Sequence, residues 1–264
     1  MRKFVFPLCA QLTVPEILEN PAFHAVLAQM QKSGYYGVEL NVTDFENHTP
    51  EKIKALLDPY GLKMTMLASG GYANRNGLSM SSEDETLRRK TVDALCNVLI
   101  PFAKEMGCGI ICGFLKGRGT SEQLAKTVKE VDERCGDQGV DVYLEVTNHN
   151  ETNMVNTLKE GASYCGGMWK MLPDTYHMVM DEAAFYAAFA GNLDKFSNIH
   201  VSDNNRYFPG YGALDFYQVL AFLKASGWQG TMAAEGRIHD TLEQDLAYTA
   251  DYLEAVTEKI NRTL

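Results

Sequence analysis

The sequence predicts a single-domain α/β protein, a (β/α)8 barrel of the TIM type that spans residues 1–264. Short apolar runs bounded by turn residues alternate with amphipathic helical patterns, and each pair takes about 30 residues, the length of one strand–helix unit. A strand followed by a helix is the unit that builds a parallel sheet. Eight such units in 264 residues favour a closed barrel over an open doubly wound sheet.

The eight apolar runs predict the strands in order. They cover 3–10, 35–41, 62–69, 108–115, 140–146, 168–174, 197–203 and 230–236. Helical spacing of apolar residues, with caps at Thr49 and Asp215, predicts the helices between them. They cover 15–34, 49–61, 81–107, 120–139, 214–227 and 240–260. The one long connection, 70–85, is a candidate lid over the site.

Composition excludes several classes of protein. A formal net charge of −10 argues against a nucleic-acid partner, which needs a basic face to meet phosphates. No apolar stretch approaches the roughly 18 residues of a membrane helix, and the apolar run near the basic N-terminus (1–11) is too short for a signal peptide. The spacing of the six cysteines favours free thiols over a disulfide framework. We therefore expect a cytoplasmic protein without a membrane partner.

Four potential metal ligands stand at the ends of consecutive predicted strands. They are Glu145, Asp174, His200 and Glu235 on strands five to eight. The carboxyl ends of barrel strands converge on the active site, so these side chains should meet. Three carboxylates placed together repel one another unless a cation lies between them. A set of three carboxylates and one imidazole suits Mn²⁺ or Mg²⁺, with Co²⁺ as a further candidate, better than a structural zinc.

Three polar residues follow the predicted ligands closely in sequence and could surround the metal site. Glu151 follows Glu145, His177 follows Asp174 and Arg206 follows His200 within a few positions. Each could bind substrate hydroxyls or orient a ligand, and each could equally be an ordinary rim residue.

Several motifs together resemble a known family. The segments "LEVTNHNETN", "PDTYHM", "HVSDNNRYFPGYGALDF", "AAEG" and "GLSMSSEDETLRRKTVD" are similar to those of the sugar-phosphate isomerase/epimerase superfamily, the xylose-isomerase-like TIM barrels. They most resemble the D-tagatose and D-allulose 3-epimerases, and the match covers nearly the whole chain. The resemblance implies that the four ligands hold one divalent metal, usually Mn²⁺. It also implies that Glu145 and Glu235 are the catalytic pair, and that Glu151, His177 and Arg206 bind the sugar.

The expected function is a metal-dependent epimerase that moves a proton at C3 of a ketose through a cis-enediolate. Such chemistry needs a cation to stabilise the developing negative charge and two carboxylates on opposite faces of the sugar. Other enediolate enzymes on the same scaffold stay open, including ketose/aldose or hydroxypyruvate-type isomerases, sugar-phosphate 3-epimerases and an inosose dehydratase-like lyase. The segment "LKGRGTS" (115–121) is a candidate phosphate cradle. A homo-oligomer, dimer or tetramer, also stays open.

Overall fold

In the described part of the chain, eight parallel strands form one sheet, in the order β6-β5-β4-β3-β2-β1-β8-β7. The computed structural model describes residues 3–264, so residues 1–2 of the predicted N-terminal segment lie outside the described residues. The strands are β1 (Leu8–Thr13), β2 (Gly37–Asn41), β3 (Lys63–Ala68), β4 (Gly109–Cys112), β5 (Val142–Glu145), β6 (Trp169–Leu172), β7 (Asn198–Val201) and β8 (Thr231–Ala234). Each lies within or overlaps its predicted run, and the predicted single-domain (β/α)8 barrel is confirmed.

The barrel closes between β6 and β7, where only one pair of residues is bridged in the described part of the chain. Asp174 and His200 form an isolated parallel bridge, and the His200 main-chain N–H donates to the Pro173 carbonyl at 2.9 Å. The strand β6 stops at Leu172, directly before Pro173, which has no N–H to continue the ladder. The seam of the barrel therefore lies at two of the predicted metal ligands.

Helices cover the outside of the sheet. They are α1 (Pro21–Ser33), α2 (Pro50–Leu57), α3 (Gly70–Asn76), α4 (Glu85–Ala94), α5 (Ile100–Met106), α6 (Ser121–Cys135), α7 (Leu158–Ala162), α8 (Thr175–Asp181), α9 (Phe185–Ala190), α10 (Phe216–Ala225) and α11 (Leu242–Thr263). The predicted cap at Asp215 is confirmed, because its side chain accepts a hydrogen bond from the Gln218 N–H at 3.2 Å. Thr49 lies at the N-cap of α2, but its side chain makes no capping hydrogen bond.

Three predicted segments differ from the structure: 15–34, 70–85 and 81–107. The helix expected over 15–34 begins only at Pro21, because Asn20 caps it by accepting from the N–H groups of Ala22 and Phe23. The connection 70–85, predicted as a loop, contains the short helix α3. Its sequence is rich in glycine and asparagine, which hides a helix from propensity arguments.

The predicted long helix 81–107 consists of α4 and α5 joined by a π-helical turn over Leu95–Leu99. Pro101 follows directly in α5 and cannot donate to the preceding turn, which accounts for the wider hydrogen-bonding there. Asp84 caps α4 by accepting from the N–H groups of Thr86 and Leu87. The helix thus begins four residues later than its pattern predicted.

The interior is divided into two apolar regions. A large core lies between the strands and the outer helices. A smaller cluster of Met66, Ile111, Tyr143 and Leu172 draws one residue from each of β3 to β6. The Tyr143 hydroxyl lies 2.7 Å from Ser197 Oγ, just before β7, so this side chain reaches across the barrel. The packed interior supports the site from below.

The six cysteines are all free, as predicted. Burial raises the pKa of the Cys9, Cys108 and Cys112 thiols to about 12. These thiols are therefore packing residues without nucleophilic character. Within residues 3–264, every helix is too short or too polar to cross a membrane.

Candidate metal and substrate site

The four predicted ligands meet at the carboxyl end of the barrel. Glu145 is the last residue of β5, Asp174 follows β6, His200 lies within β7 and Glu235 follows β8. One ligand atom from each lies within 4.8 Å of all the others. The sequence placed these residues correctly because barrel strands repeat in register.

The ligand atoms converge on a common point. The His200 Nδ1 atom lies 2.7 Å from Glu235 Oε2, 3.3 Å from Glu145 Oε1 and 3.8 Å from Asp174 Oδ2. Both His200 Nδ1 and Glu235 Oε2 are buried, yet neither has a hydrogen-bond partner within residues 3–264. Buried polar atoms are nearly always paired, so two unpaired atoms facing each other mark a place for a cation. Three carboxylate oxygens and one nitrogen fit a divalent metal.

A second group of potential metal ligands differs from the first, because its side chains already have hydrogen-bond partners. His239, Asp240 and Asp245 also lie close enough to hold a metal. However, the Asp245 carboxylate already accepts hydrogen bonds from the His239 N–H at 2.7 Å and the Tyr211 hydroxyl at 3.0 Å. His239 is exposed and stacks on Tyr211 with the ring centroids 4.5 Å apart. This group ties a loop to the start of α11.

Arg206 neutralises part of the carboxylate charge. Its guanidinium contacts Asp174 Oδ2 at 2.6 Å and Glu235 Oε1 at 2.9 Å. Burial raises the pKa of Asp174 and of Glu235, but the Arg206 charge and the neighbouring histidines outweigh burial and hold both values below the ordinary range. Both carboxylates therefore stay ionised and available as ligands at neutral pH.

Burial lowers the pKa of His200, whereas the charges of Glu39 and Glu235 raise it, and the net direction is well above the ordinary value. Without a cation, His200 therefore tends to keep an extra proton. A cation bound in this cluster would displace that proton from the ring.

The other nitrogen of His200 is held by a residue that the sequence prediction missed. The His200 Nε2 atom lies 2.8 Å from Oε2 of Glu39, a fully buried carboxylate on β2. The other oxygen of Glu39 accepts from Asn198 Nδ2 at 2.5 Å. A carboxylate in this position fixes the ring and leaves Nδ1 facing the candidate metal position, as is typical of histidines that bind metals. The signal was a glutamate inside the apolar run "YYGVELN", which an apolar neighbourhood alone does not explain.

Lys116 is a second residue of the site that the sequence did not place there. It is fully buried, and its ammonium group donates to the main-chain carbonyl of Glu145 and to Thr147 Oγ1, the latter at 3.0 Å. Burial lowers the pKa of Lys116 to about 8. Because the ammonium points inward at the end of β5, the segment 115–121 cannot offer it to a phosphate.

A loop after β7 carries Arg206, and Asp203 organises that loop. The buried Asp203 carboxylate accepts from the N–H groups of Gly210, Gly212 and Leu214 at 2.9–3.1 Å. A Cβ atom at Gly212 would lie 2.2 Å from Asp203 Oδ1, which explains the glycine. Arg206 itself takes a left-handed conformation with φ 66°, an uncommon choice for a residue with a side chain. The surrounding contacts therefore hold this arginine in one orientation.

A cavity of about 140 Å³ opens directly beside the ligands. Its lining includes the two glutamates of the metal set and all three predicted substrate-binding residues, Glu151, His177 and Arg206. His177 is buried, and Asn148 Nδ2 donates to its Nδ1 at 2.7 Å, which leaves Nε2 facing Asp174 at 3.8 Å. Glu151 lies at the exposed rim, 4.0 Å from His177 Nδ1. Further polar and aromatic groups come from the first four strands and the loops that follow them: Gln11 in β1, Asn41 at the end of β2, Ser69 after β3 and Phe114 after β4.

The fold and the site together define a (β/α)8 barrel with a candidate divalent-metal centre at its carboxyl end. The family model described as xylose isomerase-like TIM barrel matches residues 27–256. The chain belongs to this family, as its motifs predicted.

Curated relatives are named as sugar epimerases. The chain is 27% identical over 228 residues to 3-dehydro-D-guloside 4-epimerase of Escherichia coli, covering 79% of this chain and 85% of the relative. It is 26% identical over 231 residues to ketose 3-epimerase of Arthrobacter globiformis, covering 82% and 78%. Among solved structures, 3-keto-D-glucoside 4-epimerase from E. coli superposes with a TM-score of 0.80 at 23% identity, covering 95% of this chain and 99% of that one. At that identity the superposition supports the fold alone.

Proposed function

We propose that the protein is a metal-dependent sugar epimerase that transfers a proton at C3 of a ketose through a cis-enediolate. The observation that carries the proposal is the position of Glu145 and Glu235. Both belong to the convergent ligand set, and both line the same cavity. A carboxylate pair beside one substrate cavity is what inversion of a carbon acid requires.

The metal would be held by Glu145, Asp174, His200 and Glu235, and we propose Mn²⁺. When bound, it would supply positive charge that stabilises the developing oxyanions of the sugar. The two glutamates, Glu145 and Glu235, would carry out the proton transfers. One glutamate accepts the C3 proton from one face of the sugar, and the other, protonated, returns a proton to the opposite face. The configuration at C3 is thereby inverted, and the two glutamates have exchanged protonation states, which proton exchange with water restores.

The remaining residues of the cavity would hold the sugar in place. His177, fixed by Asn148, presents a ring N–H toward the ligand set. Arg206 has planar, directed N–H donors that reach both the ligands and the cavity. Glu151 at the rim accepts hydrogen bonds from sugar hydroxyls. Fixing the sugar in this way converts the proton transfer into a step between preoriented groups.

The names of the relatives support this chemistry. A ketose 3-epimerase and a 3-dehydro-guloside 4-epimerase both invert a carbon that lies next to a carbonyl carbon. Proton transfer beside a ketone is the shared step, and it is the step that two glutamates and a cation can perform. We also propose a small sugar as the substrate and the cytoplasm as the location.

The decisive experiment follows exchange of the C3 proton in deuterated water. Wild-type protein loaded with Mn²⁺ should incorporate deuterium at C3 of a ketose and form its epimer, and exhaustive chelation should abolish both. Glu235→Gln should keep the fold and lose exchange by a factor of about 10² or more. Glu258→Gln, on the exposed face of α11, is the matched control and should behave as wild type. Activity that survives chelation, or full turnover by Glu235→Gln, would refute the proposal. If the sugar instead loses water and no epimer forms, the protein is a lyase of the inosose dehydratase type.

A further inference from the structure

A second cavity of about 140 Å³ adjoins the substrate cavity at the loop after β4. The two cavities share four lining residues, Gly113, Phe114, Thr147 and Glu151. Beyond this common wall, the second cavity is lined by Gly117, Arg118 and Thr152. None of these three lines the cavity beside the metal ligands. We call the second cavity the distal cavity.

The walls of the distal cavity are held in place by hydrogen bonds. The buried Thr152 hydroxyl donates to the Gly117 carbonyl at 2.6 Å, and Arg118 Nη2 donates to the Asn150 carbonyl at 2.7 Å. Gly117 has φ +69°, and a Cβ atom there would lie 2.0 Å from Ser79 Oγ. The segment that forms the floor is therefore tied to two neighbouring loops, and the cavity is a fixed feature of the fold.

A phosphate group does not suit this cavity. The N–H groups of Lys116, Gly117 and Gly119 are already used, since they donate to Gly113 O, Phe114 O and Asn153 Oδ1. The Lys116 ammonium is buried and directed at the end of β5. Arg118 is then the one cation among the lining residues, and the Glu151 carboxylate, which would repel a phosphate, lines the same cavity. A phosphate cradle needs several free N–H donors, and those named here are engaged.

The groups that line the cavity suit an uncharged ring of hydroxyls. The Phe114 side chain is exposed to 62% and stands in the wall between the two cavities. The negative face of an aromatic ring attracts polarised C–H groups such as those of a sugar ring. Arg118 supplies donors and Glu151 supplies an acceptor for hydroxyl groups. Pockets with an apolar wall and a few directed polar groups are typical of small-molecule sites.

We propose that the distal cavity binds a glycosyl group attached to the reacting sugar, so that the enzyme prefers a keto sugar carrying a second ring over a free ketose. This inference rests on the proposed function, because the first ring must occupy the cavity beside the metal ligands. The second ring then packs on Phe114 and hydrogen-bonds to Arg118. The preference for an extended substrate comes from residues outside the proton-transfer chemistry.

The test measures binding of three sugars, and of fructose 6-phosphate as a comparison ligand, to the Mn²⁺-loaded protein by isothermal titration calorimetry. D-Fructose is compared with maltulose and isomaltulose, in which a glucosyl group is joined to O4 or O6 of fructose. At least one of the two keto-disaccharides should bind about tenfold more tightly than fructose. Arg118→Gln should remove that tenfold advantage, since it removes the charged hydrogen-bond donor to the second ring, and it should leave fructose binding unchanged. Arg262→Gln, an exposed arginine on α11, is the matched control.

Several results would overturn the inference. They are fructose binding as tightly as both disaccharides, equal weakening of all three sugars by Arg118→Gln, no binding of any of them, and a larger gain from fructose 6-phosphate than from either disaccharide. Deuterium exchange at C3 separates this inference from the proposed function. Exchange without a preference for the second ring overturns the distal cavity alone. A preference in binding with no exchange on any sugar overturns the proposed epimerase and leaves the distal cavity standing.

Discussion

Asp174 and His200 form the bridge that closes the barrel between β6 and β7, and the same two residues belong to the candidate metal set. The ladder between these strands is short because β6 ends at Leu172, before Pro173. The carboxylate and the imidazole are therefore brought together by barrel closure itself. A metal at this point would link the two strands that share the fewest main-chain hydrogen bonds, so metal binding and closure should stabilise each other.

The Glu39–His200 contact predicts that metal affinity depends on a residue outside the ligand set. Glu39→Gln removes the charge behind the His200 ring and disturbs the hydrogen bond from Asn198. We expect Mn²⁺ affinity to fall by about 10- to 100-fold, as is typical when the partner of a ligating histidine is changed. Titration of Mn²⁺ against a competing chelator measures this. Glu258→Gln is the control, and circular dichroism should show an intact fold. Unchanged affinity in Glu39→Gln would contradict the assigned role.

The close approach of Gly212 to Asp203 predicts a local effect on the site. In Gly212→Ala the new methyl group would lie 2.2 Å from Asp203 Oδ1, so the loop that carries Arg206 must shift. We expect a loss of about 1–3 kcal/mol in unfolding free energy together with weaker Mn²⁺ binding. Gly61→Ala is the comparison, because Gly61 has φ +63° and nothing within 4 Å of a Cβ atom.

The comparison variant should lose about 1 kcal/mol through backbone strain alone and bind Mn²⁺ as wild type does. Denaturant titration and metal titration on both variants separate these effects. Equal metal affinity in Gly212→Ala and Gly61→Ala would show that Asp203 does not organise the site.

Burial of Lys116 predicts a dependence of stability on alkaline pH. Its pKa is about 8 in the folded protein against an ordinary value of 10.5, so between these values the unfolded chain binds more protons. The free energy of unfolding should therefore rise with pH across this window, by up to about 3 kcal/mol from this group. Lys116→Met should lack this rise.

The measurement is chemical denaturation of the metal-free proteins from pH 7.5 to 10.5, expressed as wild type minus variant. The raised thiol pKa values of Cys9 and Cys108 lower the free energy of unfolding as pH rises over part of the same range, and this effect is equal in both proteins because neither thiol interacts with Lys116. Cys112 does interact with the Lys116 charge, so its contribution belongs to the measured difference. A difference that does not change with pH would show that Lys116 titrates normally.

The sequence predicted the ligand set because the barrel is periodic. Glu145, Asp174, His200 and Glu235 each end an apolar run one strand–helix unit after the last, and parallel strands bring equivalent positions to the same end. Local rules also predicted the cap at Asp215 and, for the described residues 3–264, the lack of a helix that could cross a membrane, since both depend on neighbouring residues. The late start of α1 and the helix α3 were missed, because competing caps and glycine-rich segments are decided by contacts that the local pattern does not contain.

By itself the sequence determined the (β/α)8 barrel and predicted that Glu145, Asp174, His200 and Glu235 meet at its carboxyl end, since both follow from periodicity along the chain. Tertiary structure decided which distant groups support that set. Glu39 comes from β2 to orient His200, Lys116 turns inward from the loop after β4 to the end of β5, and Arg206 joins Asp174 to Glu235. The physical reason is that the partner of a buried charge is fixed by packing across the barrel, and sequence spacing carries no record of which strands face each other.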